Sequence, residues 1–396
     1  MPSTATIRRN TRSPPKSARK WRMRKWSSSK ASERLRTRKT HGRDGPSRRA
    51  EIGLRRVPIQ HPAQPFEEPA MTLANLPPLV TVFGGSGFVG RHVVRALAKR
   101  GYRIRVAVRR PDLAGFLQPL GNVGQISLVQ ANLRYRNSID RAVDGASHVV
   151  NCVGILQETG RNTFDAVQEF GARAVAEAAR NAGATLAHIS AIGANSNSDS
   201  DYGRTKGRAE AAILSIKPDA VIFRPSIVFG PEDSFFNKFA DMARMSPVLP
   251  LVGGGKTKFQ PVYVEDVAEA VARAVDGKVP VGKVYELGGP EVLSFRECLE
   301  TMLKVTSRKN RLVSLPFGIA SMIGSIASLI PFVTPPITPD QVRLLKRDNV
   351  VSAEAEAEGR TLKGLGIAPT MAASVLESYL VQYRPHGQYT GSGKAA

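Results

Sequence analysis

Three side chains have the types and the order needed to move a proton: Ser190, Tyr202 and Lys206. Tyr202 and Lys206 stand four apart in "SDYGRTKGRAEAA". One turn of helix puts such a pair on the same face. A free tyrosine has a pKa of about 10, and a nearby ammonium favours the phenolate and lowers that value. Tyr202 could then exchange a proton with a substrate hydroxyl or carbonyl while hydride moves to or from a nicotinamide. In this arrangement Lys206 lowers the tyrosine pKa and holds the ribose, and Ser190 hydrogen-bonds the substrate oxygen. The pair also suits a protein that only holds a cofactor, so turnover does not follow from it.

Such groups need a scaffold that presents a dinucleotide. "LVTVFGGSGFVGRHVVRALAKRG" reads as strand, glycine turn and helix, with a continuous apolar run from Leu79 to Phe83 as a buried parallel strand requires. Gly84, Gly87 and Gly90 permit the tight turn and let backbone approach a pyrophosphate at the helix N-terminus. Phe88 and Val89 open that helix, and with the glycines they are the candidate phosphate contacts. The second strand, "YRIRVAVRRP", ends on Arg109 and Arg110 where an NAD site usually carries a carboxylate for the ribose 2′-hydroxyl. A guanidinium can instead bind a 2′-phosphate with paired hydrogen bonds. NADP(H) is therefore favoured over NAD(H).

Alternation continues through "ISLVQANL", "NSIDRAVDG", "SHVVNCVG", "TFDAVQEFGARAVAEAARNAG" and "ATLAHISAIG". Strands and helices at this spacing predict an α/β fold, a doubly wound parallel sheet of Rossmann type. Ligands bind outside the carboxyl ends of such strands. That rule places Asn151, Cys152 and Gly154 at one such end and Ser190 at another, and Asn132, Leu133, Val153 and Pro225 are further candidate cofactor contacts. Cys152 reads as a small core residue rather than a nucleophile. The Rossmann domain is expected over 71–230 and a smaller C-terminal α/β lobe, interleaved with it, over 231–389. "VYELGGPEVLSFRECLETMLKVT" is expected to give that lobe a strand, a turn and a helix.

The glycine turn, "NCVG", Ser190, the Tyr202/Lys206 pair and "FRPSIVFGPED" together resemble the short-chain dehydrogenase/reductase superfamily, in its extended or atypical, epimerase/dehydratase-like branch. Within it, "RPSIVFGPEDSFFNKFA", "VGGGKTKFQPVYVEDVAEAV" and "ITPDQVRLLKRDNVVS" are similar to the family of NADPH-binding accessory subunits of respiratory complex I and their bacterial relatives. The resemblance runs from Leu79 to about Tyr389 and does not touch residues 1–70. It implies a tightly held NADP(H), complex I or another membrane-surface complex as partner, and no established substrate. It implies a cytoplasmic placement, or a peripheral one on the inner membrane, on the matrix side in a mitochondrion. Asn132 departs from the pattern, standing where many members carry an aspartate near the adenine.

Composition bounds the rest. The chain has 396 residues, a formal charge of +24 and 42% hydrophobic residues, enough for a sizeable core. Its two cysteines, Cys152 and Cys298, form no disulfide framework, and its six histidines fall in no metal-ligand pattern, so no metal is expected. Residues 1–70 hold 19 of the 57 basic residues and 5 of the 33 acidic ones. Rich in Arg, Ser and Pro, this leader is expected to be disordered. It reads as a basic arm for nucleic acid, as an organelle transit peptide, or as upstream sequence before a working start at Met71. No specific nucleic acid is expected, and the tail 390–396 is expected to be disordered.

"LPFGIASMIGSIASLIPFV" (315–333) holds no charged residue. An apolar helix is expected over 317–330, with Ile319, Met322, Ile323, Ile326 and Ile330 on one face and Gly318, Ser321, Gly324, Ser325 and Ser328 on another. A membrane span needs about 20 residues, so this stretch is expected to pack on the protein, a partner or a membrane surface without crossing it. Three functions follow: an accessory subunit whose NADP(H) is structural or redox-sensing, a working reductase for a small, lipophilic or quinone-related substrate, and a basic nucleic-acid binder supported by the leader alone.

Overall fold

Seven short, largely apolar segments pair side by side, because a mostly buried backbone must give its polar groups to neighbours. In the computed structural model, which describes residues 76–329 and 338–385, these are β1 (Leu79–Phe83), β2 (Arg103–Val108), β3 (Ile126–Gln130), β4 (His148–Asn151), β5 (Thr185–Ile189), β6 (Val221–Pro225) and, later in the chain, Val284–Leu287. Short strand pairs intervene: β7 (Val228–Phe229), β8 (Val248–Val252), β9 (Lys258–Phe259) and β10 (Val262–Tyr263). Val284–Leu287 is therefore β11, followed by β12 (Leu293–Ser294) and β13 (Arg311–Leu315). The large sheet has the order β3-β2-β1-β4-β5-β6-β11, parallel throughout. The expected leader, the tail and the stretch 330–337 lie outside the described residues.

Strand order reverses between β1 and β4, and that switch point opens the crevice where a doubly wound sheet takes its ligand. Helices cover both faces. On one, α1 (Phe88–Lys99) and α6 (Val264–Val275) bury Val93, Val94, Leu97, Val267 and Val271 against Val80, Val82, Val106 and Phe223. On the other, α2 (Arg136–Val143), α3 (Phe170–Asn181) and α4 (Asp201–Ile216) pack on Phe83, Val149, Leu186 and Ile222. Leu97 is fully buried, so truncating it to alanine should cost about 2–5 kcal/mol.

One expectation is corrected. The strand at "VYEL" does not belong to the small lobe: β11 pairs with β6 at the edge of the large sheet. Local sequence could not show this, because the partner of a parallel strand is set by chain some sixty residues away. The small lobe is built instead on α5 (Phe236–Met245), β8, β13, α7 (Phe295–Val305) and α11 (Ala372–Leu380). Its core joins Phe236, Leu249, Phe295, Leu299, Met302 and Leu376. In α8 (Phe317–Leu329), Ala320 and Gly324 face inward while Ile319, Met322 and Ile323 are exposed. Ile326 and Ile330 fall outside the residues whose side chains are described. Among the described residues, no helix is long and apolar enough to cross a membrane. The chain continues through α9 (Pro339–Leu344) and α10 (Ala353–Ala357).

Candidate functional site

The glycine turn closes the end of β1. Gly84 adopts a positive φ of 73°, a conformation that disfavours any side chain, and its Cβ position would press on Val153 beside Cys152. Of the three glycines of this turn, Gly90 has the tightest constraint: a Cβ there would lie 2.2 Å from the Gly84 carbonyl oxygen. Gly87 is the N-cap of α1 and supplies no side-chain cap, so the first amides of the helix, those of Phe88 and Val89 among them, keep donors for an anion. Gly90→Ala must push the turn apart, and we expect at least about a ten-fold loss of nucleotide affinity with the sheet still folded, checked by titrating cofactor fluorescence alongside circular dichroism.

The two arginines after β2 part company. Arg110 pairs with Asp112 at 2.9 Å, both side chains well exposed. Arg109 has no hydrogen bond or ion pair among the described residues. With Ser86, Val108, Arg110 and Leu113 it lines a cleft of about 230 Å³ beside the glycine turn. Asn132 turns its side-chain oxygen to the Arg134 amide, 3.1 Å away, and Leu133 buries its side chain against Gly171, leaving backbone as its means of contact.

At the other side of the crevice, β5 delivers Ser190. Its hydroxyl and both ring nitrogens of His188 are buried and have no hydrogen-bond partner among the described residues. His188 shares the sheet face of Ser190, two residues back, and burial holds its pKa well below the usual value, keeping it neutral. A buried hydroxyl without a partner is costly, so Ser190 fits a site that a substrate oxygen completes. Asn151 is buried at the end of β4, where its side-chain oxygen accepts from the Val153 amide. Cys152 is half-buried, and burial pushes its thiol up to about 12, which suits packing rather than nucleophilic attack. Gly154 is exposed at the crevice, and Pro225 is buried at the end of β6.

Helix α4 carries Tyr202 and Lys206, the expected proton-transfer pair. Ser200 caps it, its hydroxyl accepting from the Gly203 amide. The Tyr202 ring meets Phe164 edge-on, with centroids 5.9 Å apart. Gln168, in the π-helical turn Asp165–Glu169 that leads into α3, accepts from Thr205 and donates to the Ile155 carbonyl, tying the helix to the loop after β4. Lys206 is 3% exposed and donates to the Ile189 carbonyl at 3.0 Å. This corrects the sequence expectation for Tyr202. The ammonium is engaged with β5, and burial pushes the phenol up to about 12 instead of down. Burial also lowers Lys206 to about 8, against opposing attraction from Glu210 and Cys152.

Between pH 8 and about 10 the folded lysine is neutral while the unfolded one is still charged. The unfolded state then binds more protons, so stability rises with pH across that window. We expect the wild-type chain to gain on the order of 2 kcal/mol relative to Lys206→Met as pH rises from 8 to 10, read from paired denaturation curves.

Two residues of this region carry no local signature. Asn349 donates to the Ile192 carbonyl and accepts from Ser226, joining the loops after β5 and β6. Asp340 accepts from the first turn of α4. Both lie within "ITPDQVRLLKRDNVVS", but their partners are more than a hundred residues away in sequence.

These residues fit a dinucleotide: a glycine turn with little room for side chains, helix amides and an arginine in a cleft that have no side-chain partner among the described residues, and a buried serine hydroxyl. Comparison with known proteins agrees. Residues 80–288 match the NAD dependent epimerase/dehydratase family. The chain is 35% identical over 325 residues to NADH dehydrogenase (ubiquinone) 1 alpha subcomplex subunit 9, mitochondrial, of Arabidopsis thaliana, covering 79% of this chain and 80% of that protein. It is 33% identical over 240 residues to the ceramide reductase of Caulobacter vibrioides, covering 60% and 74%. The NADPH-dependent quinone oxidoreductase QOR2 of Escherichia coli, solved with NADPH, shares the fold with a TM-score of 0.59 at 19% identity, over 76% of this chain and 99% of that one. The chain belongs to the NAD-dependent epimerase/dehydratase family and is an NAD(P)-binding protein of the short-chain dehydrogenase/reductase type, alongside the alpha subcomplex subunit 9 proteins of respiratory complex I.

Proposed function

We propose that the chain holds NADP(H) rather than NAD(H), in the manner of a complex I accessory subunit, with the cofactor serving structure or redox sensing. The observation that carries the cofactor choice is Arg109, unpaired among the described residues in the cleft that also contains Ser86. The subunit reading draws on the relatives named as mitochondrial NADH dehydrogenase subunits. It puts the protein at a membrane surface, on the matrix side in a mitochondrion, with the exposed Ile319, Met322 and Ile323 available for contact.

When bound, the nicotinamide supplies hydride chemistry. The chain's own residues would then do the rest. Amides of Phe88 and Val89 would hold the pyrophosphate, Lys206, anchored on the Ile189 carbonyl, would turn a remaining N–H toward the ribose, Ser190 would donate to the substrate oxygen and Tyr202 would give it a proton. The partnerless Ser190 hydroxyl favours a second reading, a working reductase with a small, lipophilic or quinone-related substrate. The relative named a ceramide reductase is in keeping with a lipophilic one.

A chase separates the two. The full chain, purified with its nucleotide, is mixed with excess isotopically labelled NADPH. Retention for hours supports a structural cofactor. Exchange within seconds contradicts it and favours the reductase.

A further inference from the structure

The tyrosine helix is not held by the nucleotide-binding part alone. Asp340, at the start of α9, reaches its first turn across about 140 residues of sequence. One carboxylate oxygen accepts from the Asp201 amide at 2.8 Å. The other accepts from the Tyr202 amide at 3.1 Å and from the Ser200 hydroxyl at 2.8 Å. These amides are among the donors that a helix leaves unpaired at its N-terminus, where negative charge is also favoured. Arg343 stands 3.6 Å from Asp340 and 3.8 Å from Asp201, steadying the pair.

Asp340 is itself fixed in place. Thr338 and Gln341 form a reciprocal cap at the start of α9. Val342, one turn on, is buried with Val252 and Ala320. The carboxylate therefore comes from a packed element, and its three bonds converge on the residue before Asp201 and on the two that follow, the last of them Tyr202.

We propose that Asp340 is a positioning residue, delivered by the C-terminal part of the chain, that sets where the Tyr202 phenol stands. The proposal rests on the reading of Tyr202 as the proton-transferring group. Ser200 alone caps one amide of this turn, so without Asp340 the amides of Asp201 and Tyr202 lose their acceptor. The turn then frays and the phenol moves away from Phe164.

Nitration of the full chain by tetranitromethane, followed by peptide mass spectrometry, reads the accessibility of each phenol. Asp340→Ala is expected to raise nitration of Tyr202 about five-fold, the factor a lost helix cap implies. Tyr379, 7% exposed in the C-terminal core, is expected not to change. Asp340→Asn keeps an acceptor oxygen and is expected to recover most of the wild-type protection. Equal Tyr202 nitration in wild type and both variants would overturn the proposal. So would a rise at Tyr202 shared by Tyr379, which assigns Asp340 to general stability. The readout needs no nucleotide, so a chain that bound no NADP(H) would defeat the functional reading and leave the tyrosine result to stand or fall separately.

Discussion

Arg109→Glu is expected to weaken NADPH binding about 100-fold or more while changing NADH binding by less than about three-fold. The two nucleotides differ only in the 2′-phosphate. Arg109 sits at the end of β2, where the ribose of a bound dinucleotide lies in this fold, and it spends no hydrogen bond elsewhere among the described residues. The charge change removes up to two charge-assisted bonds and sets a carboxylate against the phosphate. Arg110→Glu is the control. Arg110 already pairs with Asp112 in an exposed bridge, so its loss costs little, and NADPH affinity should fall far less. Competition titrations of both nucleotides against both variants give the answer. Equal loss of NADPH and NADH in Arg109→Glu would remove the 2′-phosphate argument.

Tyr202→Phe is expected to reduce any reductase turnover about 100-fold or more and to leave NADPH affinity nearly unchanged. Phenylalanine keeps the ring that meets Phe164 and loses the hydroxyl that would give the proton. Burial raises the Tyr202 phenol to about 12, so it is protonated at neutral pH and has a proton to give to a substrate oxygen. Retained turnover would show that another group is the acid.

Much of this site was legible locally. The glycine turn is legible because β1, the turn and α1 are contiguous, and the steric demands on Gly84 and Gly90 arise within that stretch and its neighbour strand. Ser190, Tyr202 and Lys206 are candidates from one strand end and one helical turn, and the structure places Ser190 directly after β5 and Lys206 against the neighbouring Ile189 carbonyl. The direction in which Lys206 points is not legible locally. Spacing puts it on the tyrosine's helix face, but its nitrogen goes to the Ile189 carbonyl, a choice made by packing of α4 on the sheet. Burial of the Tyr202 phenol, which raises its pKa, is likewise set by packing and not by local spacing. Asp340 and Asn349 were invisible as site residues, since a carboxylate or an amide in a C-terminal stretch says nothing of the helix or loop it will meet. The place of β11 failed on the same ground, as parallel pairing is decided by the whole sheet.

The crevice between β1 and β4 is expected to hold NADP(H). The most direct test is the mass of the nucleotide released from the natively purified full chain after denaturation. NADPH or NADP⁺ is expected in near-stoichiometric amount in the wild type and is expected to be absent from Arg109→Glu. NAD⁺ or NADH in its place would contradict the assignment of Arg109 to a 2′-phosphate.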